Sequence, residues 1–127
     1  MRRKIVTMAV VGVLLALLGT LEQLSVTRLT DDALEQTRGI LEALRAGDLS
    51  TAMEKARALD QMWDERASKL EMMIDHGSTD DVRFALSRLI ASLEGEDRAS
   101  ALIYASELEG GIEHVFDRQE ISPQNVL

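Results

Sequence analysis

Two histidines are the only imidazoles in this 127-residue chain, and both stand among carboxylates. His76 lies in EMMIDHGSTDD, residues 71–81, with Asp75 before it and Asp80 and Asp81 after it. His114 lies in EHVF, residues 113–116, with Glu113 beside it and Asp117 three residues on. Imidazole nitrogens with carboxylate oxygens make a mixed donor set suited to Zn²⁺ or another divalent ion. The candidate ligand or metal-binding residues are therefore Asp75, His76, Asp80 and His114. No H-x-x-x-H or H-E-x-x-H spacing places both imidazoles on one helix face, so such a site would have to be assembled from separate elements. Nucleophilic chemistry finds less support. There is no cysteine, which excludes thiolate ligands, disulfides and cysteine nucleophiles. No G-x-S-x-G or S-x-x-K occurs to activate a serine. The reading is non-enzymatic, and no cofactor is expected.

A structural role for the same stretch competes with the site. His76 can end one helix, where an imidazolium is favoured by the dipole. Gly77 can take the left-handed cap conformation after it. Ser78 with Asp81 resembles a capping box that opens the next helix. Asp75 fits this reading poorly, since a carboxylate in a last turn faces the negative end of the dipole.

The elements that would position these residues are helical. Hydrophobic residues make up 46 % of the chain and aromatics 3 %, with a single proline, a balance that favours helices over sheets. After the basic MRRK, residues 5–21 (IVTMAVVGVLLALLGTL) carry no charge. As a helix they span about 26 Å, close to a hydrocarbon core of ~30 Å. Snorkelling of Arg2, Arg3 and Lys4 and the apolar Leu24 cover the difference. A cleaved signal peptide would want an A-x-A-like end, which ALLGTLEQLS does not offer, so an uncleaved anchor over residues 1–24 is expected. The basic start favours a cytoplasmic N-terminus with the bulk of the chain outside. From Glu22 onward the chain holds 11 Lys and Arg against 22 Asp and Glu, a net charge of −11. That argues against nucleic acid as a partner.

Beyond the anchor, apolar residues recur at alternating threes and fours. Leu34, Ile40, Leu41 and Leu44 form the first stripe. Ala52, Ala56, Leu59, Trp63, Leu70 and Ile74 form the second. Val82, Leu86, Leu89 and Leu93 form the third, and Leu102, Ala105, Leu108, Ile112 and Val115 the fourth. The breaks RAGDLS (45–50), DHGST (75–79) and GED (95–97) predict helices over about 25–46, 50–75, 79–94 and 98–116. Gly47 suits a helix end, and Asp48 or Ser50 a helix start. The expected fold is all-α: an N-terminal transmembrane helix, then an antiparallel four-helix bundle of two hairpins over 25–116, then a tail at 117–127. Trp63, Leu59, Leu70, Leu89, Leu108 and Ile112 are expected in the core. A shift of 49 residues superposes TDD at 30–32 on TDD at 79–81, Asp48 on Asp97, Ala56 on Ala105 and Trp63 on Ile112, as a repeated hairpin would. Short connections and up-and-down packing bring His76 and His114 to the same, membrane-facing end.

The anchor after a basic start, Trp63, MIDH at 73–76 with its following DD, SRLIASLEGEDRASAL at 87–102, EHVF at 113–116 and the terminal ISPQNVL together resemble the domain of unknown function 4363 family. The resemblance runs over essentially the whole chain. It implies a short bacterial membrane-anchored helical protein and adds no activity. Two functions follow as expectations. The first is an anchored extracytoplasmic module that binds an integral membrane protein or another copy of itself. The alternative is a sensor that holds a small ligand or divalent metal at the His76/His114 end.

Overall fold

The computed structural model describes residues 1–70 and 76–119. Four helices follow one another: α1 (Arg2–Arg45), α2 (Leu49–Lys69), α3 (His76–Glu94) and α4 (Arg98–Gln119). The expected anchor and first bundle helix are one uninterrupted element of 44 residues. No proline or cap signal separates them, so nothing forces a break at residue 24. Residues 1–25 are exposed throughout, and Val26 is the first buried side chain. About 25 residues, or roughly 37 Å of helix, therefore project beyond the bundle.

From Val26 onward α1 buries Leu29, Ala33, Ile40, Leu41 and Leu44 along one face. Thr30 and Thr37 share that face, and their hydroxyls donate to Thr27 O at 2.9 Å and Ala33 O at 2.7 Å, which satisfies them inside the core. α2 adds Ala52, Ala56, Leu59, Trp63 and Ala67. The helices pack as a ring: α1 on α2, α2 on α3, α3 on α4 and α4 back on α1. α2 and α4 therefore stand on a diagonal. Small residues at 52, 56, 101 and 105, all fully buried, let the backbones approach closely. Each large aliphatic side chain buried on the ring's inner face contributes about 1.5 to 3 kcal/mol.

The 49-residue spacing is a structural repeat. Buried Ala33, Thr37, Ile40 and Leu44 recur as buried Val82, Leu86, Leu89 and Leu93. Buried Ala52, Ala56, Leu59 and Trp63 recur as buried Ala101, Ala105, Leu108 and Ile112. The turns repeat in atomic detail. At the first, Gly47 N–H donates to Leu44 O and Asp48 N–H to Ala43 O; at the second, Glu96 N–H donates to Leu93 O and Asp97 N–H to Ser92 O. Both are Schellman closures with a left-handed residue at φ 79° (Gly47) and φ 54° (Glu96).

The connection between hairpins differs from expectation. α2 stops at Lys69, six residues earlier than predicted, with Arg66 and Lys69 in its last turn, where cations suit the dipole. α3 begins at His76, three residues earlier than predicted. Gly77 and Ser78 therefore lie inside α3, so Gly77 is not a helix-ending cap and Ser78 is not the helix-opening residue of a capping box. The reason lies in burial: Ser78 and Thr79 are enclosed (3 % and 4 % exposed), on the repeat positions of Leu29 and Thr30, and the helix carrying them must already have started.

Candidate functional site

The bundle end nearest the projecting part of α1 holds the sequence candidates. His76 belongs to α3, while α2 ends at Lys69, so His76 does not take the expected capping role at the end of α2. Asp75 and the His76 side chain lie outside the described residues. His114 is exposed on α4 and Asp80 is exposed on α3. These two helices are adjacent and antiparallel. Their register is marked by Gly111, where an added Cβ would meet Val82 Cγ2 at 3.7 Å. Counting from that pair, His114 stands level with Thr79 and Asp80. The histidine-bearing helices are therefore neighbours, α3 and α4, rather than the diagonal α2 and α4. Among the described residues, no group of three or more His, Asp or Glu is placed to hold a metal ion.

The expected core residues fall as follows. Trp63 is 1 % exposed, and Leu59, Leu89, Leu108 and Ile112 are fully buried. Leu70 is half-buried against the core at the end of α2. Tyr104 is half-buried on α4.

At the opposite end of the bundle, two aspartates act as helix caps. Asp48 accepts from Thr51 N–H at 3.0 Å and from the Thr51 hydroxyl at 2.6 Å. Asp97 accepts from Ser100 N–H at 3.1 Å and the Ser100 hydroxyl at 2.7 Å. The hydroxyl bond, then the amide bond, holds each carboxyl below its ordinary value. Arg98, beside the second cap, donates from Nε to Leu44 O and from a terminal nitrogen to Arg45 O, both at 2.8 Å. It thus satisfies the last carbonyls of α1 from the other hairpin.

A groove of ≈ 360 Å³ opens on the α2–α3 seam. Arg57, Asp60, Gln61 and Asp64 line it from α2, Arg83 and Ser87 from α3, and buried Trp63 contributes to the wall. Arg83 approaches Asp64 at 3.7 Å, and Arg57 reaches Glu94 at 3.5 Å. The Trp63 indole N–H is buried and meets no acceptor among the described residues. Sequence reasoning placed Trp63 in the core and passed over the polar residues around it. Their signal was available: Arg57, Asp60 and Asp64 at spacings of three and four share a face, and Arg83 with Ser87 shares another.

The sequence matches the family described as Domain of unknown function (DUF4363) over residues 21–126, and the chain belongs to that family. The match begins where the uncharged stretch of α1 ends. No curated protein and no solved structure matches the chain.

Proposed function

We propose that this protein is a single-pass membrane-anchored, non-enzymatic interaction module, with its bundle held on the outer face of the cytoplasmic membrane. The observation that carries the reading is the exposed stretch of residues 1–25. They are apolar after a basic start, long enough to span a bilayer, and wholly unburied by the bundle. Ile5, Leu14, Leu17, Leu18 and Leu21 would otherwise stand in water at half or more of their area. Because α1 continues unbroken into the core, the anchor sets the bundle's standing relative to the bilayer. The basic residues at 2–4 favour a cytoplasmic N-terminus. A bundle of net charge −11 avoids anionic lipid and favours a partner reached beside the anchor, an integral membrane protein or a second copy. No nucleic acid partner is proposed.

Protease added outside intact spheroplasts tests this. Digestion of residues 22–127 with the anchor left in the membrane is the expected result; protection of the bundle, or a mature N-terminus near residue 22, overturns it. The level shared by His114 and the start of α3 supports a second reading, a divalent metal held there. A Zn²⁺-dependent rise in melting temperature that needs both His76 and His114 would establish it.

A further inference from the structure

The seam inside each hairpin is finished differently. Between α1 and α2 it is filled: Gln36 Nε2 donates to Met62 Sδ at 3.2 Å, and Arg66 meets Asp32 at 2.7 Å. The residues 49 further on, between α3 and α4, are Ala85, Gly111, Val115 and Asp81. They leave a groove of ≈ 310 Å³, lined by Asp81, Phe84, Ala85, Arg88, Glu107 and Gly111. Phe84, on the repeat position of Glu35, borders it with 61 % of its surface exposed. Among the described residues, Asp81, Arg88 and Glu107 form no ion pair. Gly110 and Gly111 stand together within α4, where consecutive glycines weaken a helix relative to alanine. Packing within the chain does not require them: a Cβ added at Gly110 meets nothing within 4 Å, and one at Gly111 meets Val82 Cγ2 at an ordinary 3.7 Å. What the pair supplies is bare helix that a side chain from outside can cover.

We propose that this α3–α4 face binds a second copy of the chain in a parallel two-fold dimer, an inference that rests on the single-pass anchor argued above. Two copies anchored in one membrane point the same way, so their two-fold axis stands along the membrane normal. With the axis in front of the groove, α3 of one copy faces α4 of the other, and each residue meets its partner at its own height. The Gly111–Val82 register puts Phe84 level with Glu109, between Glu107 and the glycine pair. Phe84 of one copy therefore covers the glycines of the other, and the reverse holds. Arg88 is level with Ala105, about 3 Å along the axis from Glu107, so Arg88 of one copy reaches Glu107 of the other. A protruding ring, a bare stretch of helix and opposite charges thus share one face at matching heights, which is the self-complementarity an isologous contact needs. Both bundles are acidic, but salt screens charges beyond about 8 Å at physiological ionic strength, and the facing pairs lie closer than the bulk of the surface charge.

Sedimentation equilibrium of the full chain in density-matched detergent reads the oligomeric state. A dimer that weakens at least about tenfold in Phe84→Ala and in Arg88→Glu is expected. Both side chains are exposed, so the helical circular dichroism of each variant stays that of the parent. The decisive arm mixes two charge reversals. Arg88→Glu and Glu107→Arg are each weakened alone, and an equimolar mixture regains the dimer, because each copy then carries the charge its partner needs. A contact within one chain is not restored by mixing. A monomer at every concentration up to about 100 μM, a dimer indifferent to Phe84→Ala, or a mixture no tighter than its parts overturns the proposal. Photo-crosslinking from position 84 in native membranes should give an adduct of twice the chain's mass, and an adduct with a different protein in its place also overturns it. A reversed anchor in the spheroplast experiment would leave these results intact, since the copies stay parallel in either orientation, so the two readings fail separately.

Discussion

The hairpins α1–α2 and α3–α4 meet the same packing demands with different side chains. Residues 49 apart are buried together, yet they are often unlike: Thr37 and Leu86, Ala33 and Val82, Trp63 and Ile112. Where the first hairpin turns on Gly47, the second turns on Glu96 in the same left-handed conformation. Where the α4–α1 seam carries the ion pair Arg38–Glu109, the α2–α3 seam carries Arg83–Asp64 and Arg57–Glu94. The lesson is that helix geometry and the position of each turn set which residues are enclosed. The identity of the enclosed side chain is then free to serve volume, hydrogen bonding or a ligand. Differences between the hairpins are thus the places to look for function, and their likenesses are the places to look for stability.

The strongest way to test the likeness is at its largest core pair. Trp63→Ala removes ~3 to 5 kcal/mol of stability and Ile112→Ala ~2 to 5 kcal/mol, as for other buried truncations. Chemical unfolding of the full chain in detergent, followed by circular dichroism, measures both. With only ~5 to 15 kcal/mol in a domain of this size, either change is close to unfolding it. A loss under ~1 kcal/mol at one site but not the other would break the equivalence of the two positions.

A second test uses a contact that one hairpin makes and the other does not. Arg98 holds two α1 carbonyls, while its repeat counterpart, Leu49, has no polar side chain. Hydrogen bonds from a charged donor contribute ~1.5 to 3 kcal/mol when shielded; this side chain is exposed, so Arg98→Ala is expected to cost about 1 kcal/mol. Arg98→Lys recovers part of that through the helix dipole but cannot form the two-pronged bond. Full recovery by lysine would reduce the contact to charge alone.

Much of this was legible in advance, and the reasons are physical. Alternating threes and fours mark a helix whose one face is covered, so the stripes through Leu44, Trp63, Leu93 and Ile112 could be read directly. Gly47 and Asp48 announce a turn because left-handed backbone and amide capping each have few side chains that suit them. The 75–79 segment misled for the same reason: Gly77 and Ser78 are turn-type residues, yet enclosure of Ser78 and Thr79 overrode their local preference. Ring order was not legible, since short connections fix antiparallel neighbours but not which helix stands on the diagonal. For that reason the α2–α3 groove, and the adjacency of His114 to α3 rather than α2, appear only in three dimensions.

The caps are expected to behave as a matched pair. Asp48 and Asp97 both titrate below the ordinary aspartate value of about 3.9 when folded. A carboxyl with a lowered folded value gives stability that is present above the unfolded value and lost as pH falls through the folded one. Both turns should therefore contribute to a loss of melting temperature as pH drops below about 4. Asp48→Asn and Asp97→Asn each reduce that acid sensitivity while retaining a capping side chain. A pH profile changed by only one of them would mean that the turns, alike in geometry, are unlike in the unfolded chain.

The smallest expected effect concerns the left-handed residue, which differs between the two turns. Glu96 holds φ 54°, a conformation in which a β-carbon crowds the following carbonyl. Gly47 holds φ 79° at the equivalent place, and an added Cβ there would meet nothing within 4 Å. Space around the residue is therefore no obstacle at the first turn, and the backbone conformation is the only penalty to be measured. Gly47→Ala should cost ~1 kcal/mol, from left-handed strain. Glu96→Gly should relieve that strain but also loosen the unfolded chain, so the net gain is at most about 1 kcal/mol. The two changes are opposite in sign. If Glu96→Gly instead destabilises the full chain in a melting experiment, the glutamate side chain makes a compensating contribution at that turn. The two closures would then share a backbone but not an energy.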